Sequence, residues 1–503
     1  MRFNFIISTF CFLTIVKIAQ SATCYYTIDL IGYSCRLMAN TDAEPINLVI
    51  TGNHVFPKDD QDVVNIRSSD SKIEFFPSSM LGKFPNLKYL TLNKVSMTRI
   101  NTQLLYCQNL QKINLFINGI YNISSGAFES CINLLELDLG RNSLNSIETE
   151  SFKGLDKLEL LFLDSNDIRE IRVGDLNGFR NLRRLQLSGN KISNINSGAF
   201  DSLSELEHLY LGENEITSID SSLFSSLRNL ITFSVASNQL TKIEALTFEN
   251  LLKLENLYLT DNKLTSLHDN TFTGLDNLAV LQIVANDIDS LSSFVFENLT
   301  RLVNLELTNN KITRLESETF WNLVNLFRLE INSNLIDFIH PEAFSTFTRL
   351  DGLWLEDNKL QNLEFLKTDA MKTVTSLVLE DNLINDLPMD TFNSFVRART
   401  FHLDFNQIKE VRSSAFGALP YLTYLHVENN QIEVIENKFI ENIPNLSIIF
   451  ASNNTCINEI LRNITYEMDL LEDCLSSAPV FTAQSFITIT SSFVISLWSF
   501  MKL

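Results

Sequence analysis

The sequence predicts an α/β repeat fold, a solenoid in which each repeat adds one strand to a parallel sheet. The pattern L-x-x-L-x-L-x-x-N-x-L begins at Leu110 and returns every 24 residues until Leu446, and every copy keeps its asparagine. A fixed period of this length is typical of solenoids, because one repeat alone cannot bury its apolar face. At 503 residues the chain is also longer than one compact core usually supports.

The stretch RRLQLSGNKI, residues 183–192, shows what each part of a repeat does. Leu185 and Leu187 alternate with Gln186 at the period of a strand, so the leucines should face the core and the glutamine the solvent. The chain must then turn away, which buries backbone groups that need partners. An asparagine amide both donates and accepts, so we expect Asn190 to satisfy such groups in neighbouring repeats.

A phenylalanine recurs in the second half of most repeats, and the column breaks at Leu176, Thr368 and Ile440. We expect these rings to fill the core on the side opposite the sheet, without a ligand role, and we expect residues 365–374 to be helical or distorted. A degenerate copy from Leu87 has Val95 at the asparagine position. The column consists of Phe128, Phe152, Phe200, Phe224, Phe248, Phe272, Phe296, Phe320, Phe344, Phe392 and Phe416.

Composition limits the partners and the chemistry. The formal net charge is −21, so phosphates would be repelled, and we expect no nucleic-acid partner. The sequence contains no phosphate-binding loop, nucleophile elbow, metalloprotease helix or Cys-x-x-Cys pair. We therefore expect no enzyme activity and no cofactor.

The N-terminus predicts export, with residues 1–21 as a signal peptide. Arg2 precedes an apolar segment, residues 5–16, that is too short to span a bilayer, and Ala19 and Ser21 are small residues suited to cleavage after Ser21. A buried N-terminal helix is the alternative. Cleavage would discard Cys11 and leave six cysteines, an even number suited to an oxidising compartment.

Residues 45–456 resemble the extracellular leucine-rich repeat family, of the 24-residue type seen in slit, chaoptin, connectin and Toll ectodomains. The resemblance implies a curved, horseshoe-shaped solenoid with a parallel sheet on its concave face. It is specific for the fold and not for one function, because this scaffold carries many partners.

The ends of such a solenoid expose apolar core and need caps, which we place at residues 22–44 and 457–475. Cys24 and Cys35 bracket the start of the array, and Cys456 and Cys474 bracket its end, so we expect each pair to form a disulfide. Cys107 and Cys131 occupy equivalent positions one repeat apart, within reach of a disulfide. Two buried free thiols are the alternative for that pair.

Five N-x-S/T sequons suggest surface glycans, at Asn122, Asn298, Asn445, Asn453 and Asn463.

The tail, residues 476–503, begins with a triplet of small residues and ends in an apolar segment from residue 486. This order matches a glycosylphosphatidylinositol signal, with cleavage and lipid attachment at Ser476. A membrane span over residues 480–501 is the alternative. In either case we expect the protein on the extracellular side of the plasma membrane, without a cytoplasmic signalling domain of its own; secretion is the second choice.

The outward strand positions suggest a binding surface on the concave face. Aromatic residues occupy the central position at Phe162, Tyr210, Tyr258, Trp354 and Phe450, and large aromatics are typical interface anchors. At the outward strand positions of the repeats around Trp354, only two arginines oppose a run of acids. Solvated carboxylates are the simpler interpretation of any charge run. The acids are Glu306, Glu330, Asp351, Glu356, Asp357, Glu380, Asp381, Asp404 and Glu428.

His402 and His426 share one outward position in consecutive repeats, and Asp404 and Glu428 lie two residues beyond them. Two imidazoles and two carboxylates could hold a metal ion. Two ordinary surface histidines are the simpler interpretation, so we expect a ligand contact here and no metal.

These observations predict a cell-surface protein that binds a protein ligand with a basic surface through its concave face. Cell adhesion, guidance or a co-receptor role would fit such a molecule. The alternative is innate immune recognition, by a secreted or surface-bound chain, and homo-oligomerisation stays open.

Overall fold

The computed structural model describes residues 21–41, 49–69, 71–74, 76, 78–100, 103–148, 150–462 and 474. Residues 1–20 of the predicted signal peptide lie outside the described residues. So do parts of both predicted caps and the whole tail, including Asn463 and Ser476. The chain forms two compact units. The first comprises residues 1–263 with Thr271–Leu278, and the second comprises Leu264–Asn270 with residues 279–503.

The first unit is a solenoid whose repeats, here called rungs, each place one strand in a parallel sheet. The sheet strands after the cap are Val49–Thr51, Asn65–Ser69, Tyr89–Asn93, Lys112–Asn114, Glu136–Asp138, Leu160–Phe162, Arg184–Gln186, His208–Tyr210, Thr232–Ser234 and Asn256–Tyr258. Short strands follow at Lys72–Ile73, Arg99–Ile100, Asn122–Ile123, Glu170–Ile171 and Asn194–Ile195. The remaining elements are an α-helix, Ser78–Lys83, and 3-10 helices Asp60–Asp62 and Ser221–Phe224.

An antiparallel hairpin closes the start of this sheet. Ser21–Ile28 pairs with Tyr33–Thr41 in antiparallel fashion, and each strand also pairs in parallel with a strand of the array. A disulfide joins Cys24 to Cys35 across the hairpin, with Cα atoms 5.3 Å apart. The expected N-terminal bridge is therefore present, and both sulfur-bearing side chains are buried.

The second unit repeats the same plan. Its parallel sheet consists of Val280–Gln282, Asn304–Glu306, Arg328–Glu330, Gly352–Trp354, Ser376–Val378, Thr400–His402, Tyr424–His426 and Ile448–Phe450. Ile460–Leu461 pairs antiparallel with the last of these and closes the sheet. Short strands lie at Ser266–Leu267, Ser290–Leu291, Arg314–Leu315, Phe338–Ile339, Glu410–Val411 and Val434–Ile435. The helices are α-helices Ser413–Phe416 and Asn437–Glu441 and 3-10 helices Glu364–Leu366 and Asp369–Thr373.

The asparagine of each rung has the role that its chemistry predicts. The Asn190 amide nitrogen donates to the carbonyls of Leu187 in its own rung and Leu163 in the rung before, both at 2.9 Å. Its Oδ1 accepts the backbone N–H of Ile168, again in the rung before, at 3.0 Å. The same bonds recur down both units, for example at Asn238 and Asn382.

Longer strands explain why Val95 needs no asparagine. Asn65–Ser69 and Tyr89–Asn93 pair over five residues, where later rungs pair over three. The ladder therefore satisfies more of the backbone itself, and the Val95 carbonyl also accepts the N–H of Ile73 at 2.7 Å. The N–H that an asparagine would bind therefore has a partner, and the position holds a fully buried valine.

The column of phenylalanine rings extends beyond what the regular spacing shows. Each break in the regular spacing is filled by a ring from a neighbouring position. Phe179 packs 5.5 Å from Phe152, Phe365 packs 5.6 Å from Phe344, and Phe439 packs 4.7 Å from Phe416, measured between ring centroids. All of these rings are core, as expected, with exposures of 4% or less.

The segment around Thr368 is locally helical, as expected. Two 3-10 helices, Glu364–Leu366 and Asp369–Thr373, replace the usual turns, and the Thr368 hydroxyl accepts the N–H of Ala370 at the start of the second. Because Thr368 caps this helix, the column ring comes from Phe365 instead.

The other cysteines are also bridged. Cys107 and Cys131 form a disulfide between adjacent rungs, with Cα atoms 4.8 Å apart, so the alternative of two free thiols is wrong in this structure. Cys456 and Cys474 form the expected C-terminal bridge. Among the described residues, no helix is long and apolar enough to cross a membrane.

We expect Asn190→Ala to lower the free energy of unfolding by about 1–3 kcal/mol, the cost of one unsatisfied buried group, because the Ile168 N–H loses its acceptor. The carbonyls of Leu163 and Leu187 each keep a second amide donor, from Asn166 and Asn214. Urea unfolding of the purified protein measures the change. Asn145→Ala is the matched control, since Asn145 is exposed and bonds only the neighbouring Ser146. Equal midpoints for the two variants would contradict the role of the asparagine ladder.

Candidate functional site

Most of the predicted ligand-binding residues lie on the solvent-facing side of the second unit's sheet, here called the sheet face. Strand register aligns them in two rows. The central row runs in the order Glu330, Trp354, Val378, His402, His426, Phe450. The acidic row lies two residues further along each strand and consists of Glu356, Glu380, Asp404 and Glu428.

Trp354 does not project freely from the sheet face. Its ring lies over Gly352, so close that a Cβ atom added there would be 2.1 Å from two ring carbons. The Arg328 guanidinium lies 4.4 Å from the ring centroid and also pairs with Glu330. The indole is therefore half-buried and held in one orientation by a cation–π contact on one side and by the bare backbone beneath it.

Gly352 was missed in the analysis of the sequence, although it carried a signal. A glycine inside a strand often marks a place where another group approaches the backbone closely. Here Gly352 and Trp354 are two residues apart and so share one face of the strand. A glycine two positions before an outward tryptophan therefore predicts a ring lying over the strand.

Asp357 and Asp381 have a local explanation. Each precedes the asparagine of its rung and has a positive φ, 51° and 53°. Other rungs place Asp261, Asn309 or Gly189 there, also with positive φ. Asp, Asn and Gly tolerate this left-handed backbone best, so the turn favours these two acids, although it also accepts Ser165 and Phe405 in other rungs.

The acidic row is electrostatically strained. Burial raises the pKa of Glu356, and the charges of Asp357 and Glu330 raise it further. Burial, the charge of Asp404 and a hydrogen bond shared with it raise the pKa of Glu380 to about 7. Neighbouring rungs thus bring these carboxylates near enough that they do not all ionise together at neutral pH.

The two histidines stack. The His402 and His426 ring centroids are 4.2 Å apart with 14° between the planes, and Phe450 stacks on His426 at 4.1 Å. Burial lowers the pKa of both imidazoles. They are therefore neutral at neutral pH, and each has an acid of its own strand near Nδ1, Asp404 or Glu428 at 3.8 Å.

Asp404 and Asp351 show how differently the predicted acids are placed. Asp404 is only 6% exposed, and its Oδ1 accepts no hydrogen bond from the described residues. Asp351 is half-buried at the edge of the sheet face, where Thr375 donates to its carboxylate at 3.1 Å. The simpler interpretation of the acids as solvated carboxylates therefore does not fit Asp404.

The described sequons differ in how free their amides are. Asn122 is exposed, whereas Asn298 is half-buried. The Asn445 amide donates to the Pro420 carbonyl at 2.6 Å, and that of Asn453 donates to Asn429 at 2.7 Å. Asn445 belongs to a second column of asparagines that bond the preceding rung, with Asn109, Asn133, Asn181, Asn229, Asn277 and Asn325. Glycosylation at these positions stays a prediction.

A depression in the first unit was also missed. It measures about 860 Å³ and is lined by Tyr25, Arg36, Met38 and Arg67, among others. Arg36 and Arg67 are register partners on adjacent strands, and Asp29 pairs with Arg67. The two arginines lie on the cap strand Tyr33–Thr41 and on the strand Asn65–Ser69, outside the regular 24-residue pattern that directed attention to Trp354.

The family model described as Leucine rich repeat matches residues 108–168, 180–240, 228–288, 276–336 and 396–455. The rat Leucine-rich repeat-containing G-protein coupled receptor 5 is 36% identical over 108 residues, which are 22% of this chain and 12% of that protein. A human protein, Leucine-rich repeat-containing protein 66, is 34% identical over 18% of this chain and 10% of its own length. The chain thus spans about a tenth of each relative.

Solved structures share the fold. A complex of TLR13 with the RNA ssRNA13 superposes with a TM-score of 0.69 at 23% identity, covering 82% of this chain and 61% of that one. The Toll–Spatzle complex of Drosophila superposes with a TM-score of 0.61 at 18% identity, covering 84% and 64%. At these identities the likeness concerns the solenoid fold alone.

We expect Gly352→Ala to displace the Trp354 ring, because the added Cβ would overlap it. Displacement exposes the indole, so its fluorescence should shift to longer wavelength and become easier to quench with acrylamide. Ser376→Ala, at the same strand position of the next rung, is the matched control. An unchanged spectrum in Gly352→Ala would show that Trp354 does not lie on Gly352 in solution.

Proposed function

Because the chain belongs to the leucine-rich repeat family, we propose that it is a cell-surface protein that binds a protein ligand through the sheet face of its second unit. Adhesion between cells or a co-receptor role fits this activity. The proposal concerns the whole molecule, whereas the relatives are matched over a small part of their length.

The orientation of Trp354 carries the proposal. A large aromatic residue that is held in place before binding loses little conformational freedom when a partner covers it. Gly352 and Arg328 hold the indole in this way. Such rigid aromatic anchors near the centre of an interface supply much of its binding energy.

The charge around Trp354 favours a basic partner. Glu356 and Glu380 lie on the same sheet face, and the chain carries a net charge of −21. Complementary charge accelerates encounter and makes association depend on salt. The TLR13 structure contains an RNA, but this chain's charge opposes phosphates, so our expectation of no nucleic-acid partner stays a prediction.

We propose attachment to the outer surface of the plasma membrane by a glycosylphosphatidylinositol anchor at Ser476. The support is compositional: a small-residue triplet, a short spacer and an apolar tail. An anchored ectodomain of this kind would transmit a signal only through a second protein, which suits adhesion or a co-receptor.

We expect Trp354→Ala to weaken binding to the surface of ligand-bearing cells by about 2 kcal/mol or more, while the denaturant midpoint stays near that of the parent. The core leucines on either side, Leu353 and Leu355, keep their contacts. Labelled protein titrated on cells measures the affinity. Trp321→Ala is the control, because Trp321 is 48% exposed and lies outside the sheet strands.

Charge reversal separates rate from affinity in the same assay. Glu356→Lys should slow association, and most strongly at low salt, whereas Glu342→Lys, an exposed site outside the sheet strands, should not. Unchanged affinity in Trp354→Ala together with a salt-independent association rate would move the binding site away from this face.

We expect phosphatidylinositol-specific phospholipase C to release the protein from intact cells, because the enzyme cleaves the anchor lipid. Immunoblotting of the supernatant measures release, and a transmembrane protein of the same cells is the control. Retention on the membrane, with peptides beyond Phe486 in the mature chain, would contradict an anchor at Ser476.

A further inference from the structure

The sheet face contains a cluster of potential metal ligands that begins two rungs after Trp354. One ligand atom each from His402, Asp404 and His426 lies within 4.8 Å of the other two. Strand geometry brings them together. His402 and His426 are register partners on adjacent strands, and Asp404 follows His402 by two residues and so faces the same side.

The buried carboxylate indicates that a cation belongs here. Asp404 is 6% exposed, its Oδ1 accepts no hydrogen bond from the described residues, and none of their lysines or arginines forms an ion pair with it. A buried carboxylate is costly unless a positive charge or several donors compensate it. The neighbouring Glu380 shares a hydrogen bond with Asp404 but brings no positive charge.

The donor set selects the kind of ion. Two imidazole nitrogens and one carboxylate oxygen suit zinc and similar transition metals, whereas calcium and magnesium prefer oxygen alone. Neutral imidazole is the form that coordinates a metal ion.

The side chains must adjust before they can bind one ion. A ring nitrogen coordinates in the plane of its ring, and the two rings are stacked with only 14° between their planes, so one ion cannot lie in both. One imidazole must turn about its Cβ–Cγ bond. Bond lengths of about 2.0–2.2 Å bring tetrahedral ligand atoms to about 3.3–3.6 Å, so the side chains must also close slightly.

Contrary to the expectation from the sequence that no metal binds here, we propose that His402, Asp404 and His426 bind one zinc ion on the sheet face. The remaining coordination position faces the solvent side of the sheet, where water or the nearby Glu428 can occupy it. The site is independent of the proposed protein ligand, because it depends only on the chain's own residues.

The test titrates Zn²⁺ into the full chain by calorimetry, after expression without a polyhistidine tag and removal of metals with EDTA. We expect one zinc per chain and no comparable binding of Ca²⁺ or Mg²⁺. His402→Ala, His426→Ala and Asp404→Asn should each weaken zinc binding by at least about 100-fold, since changing even an outer partner of a metal site costs about 10–100-fold.

His208→Ala is the matched control, because His208 also lies on a sheet strand with an unpartnered Nδ1 but has no such cluster. It should bind zinc like the parent. Binding of Co²⁺ with the visible spectrum of a four-coordinate site, lost in His426→Ala, would support the proposal independently of affinity.

Two results would overturn the proposal. One is stoichiometric zinc binding that survives His402→Ala with His426→Ala, which would place the ion elsewhere. The other is no zinc binding, or equal binding of Ca²⁺, by a parent chain whose urea midpoint shows it to be folded. Neither result depends on whether the protein ligand exists.

Discussion

The solenoid depends on one asparagine amide in each rung, which bonds the backbone of its own rung and of the rung before. The turn after each strand buries carbonyl and N–H groups that no strand partner reaches. A carboxamide supplies a donor and an acceptor without charge, whereas a carboxylate would lack the donor and a leucine would lack both. Because the bonds join two rungs, every additional rung is stabilised by its neighbour.

Register then decides what the sheet face can do. Adjacent strands lie about 4.8 Å apart, so side chains at the same position of successive rungs must meet. Rings at such positions stack, as His402, His426 and Phe450 do. Carboxylates at such positions repel, and this repulsion adds to burial in raising the pKa of Glu380 to about 7 beside Asp404.

The stacking of the rungs also sets the orientation of Trp354. Trp354 is orientated by Arg328 from the previous rung and by Gly352 from its own strand, so its pose follows from the spacing of the rungs. The core leucines beneath these residues carry the stability of the fold. Outward residues can therefore differ between rungs without disturbing the core. The aromatic and acidic groups of the sheet face lie at these variable positions.

The sequence by itself determined the repeat, the strand positions, the leucine core, the role of the asparagines and the paired cap cysteines. Most of these features repeat at a fixed period, and the cap cysteines bracket the repeats. The same local constraint is therefore visible many times in the sequence. The tertiary structure alone decided the contacts between rungs, because these depend on side-chain rotamers and on residues about 24 positions apart. Thus Phe365 fills the gap left at Thr368, Cys107 reaches Cys131, and Asp404 is buried although its position in the pattern predicts exposure.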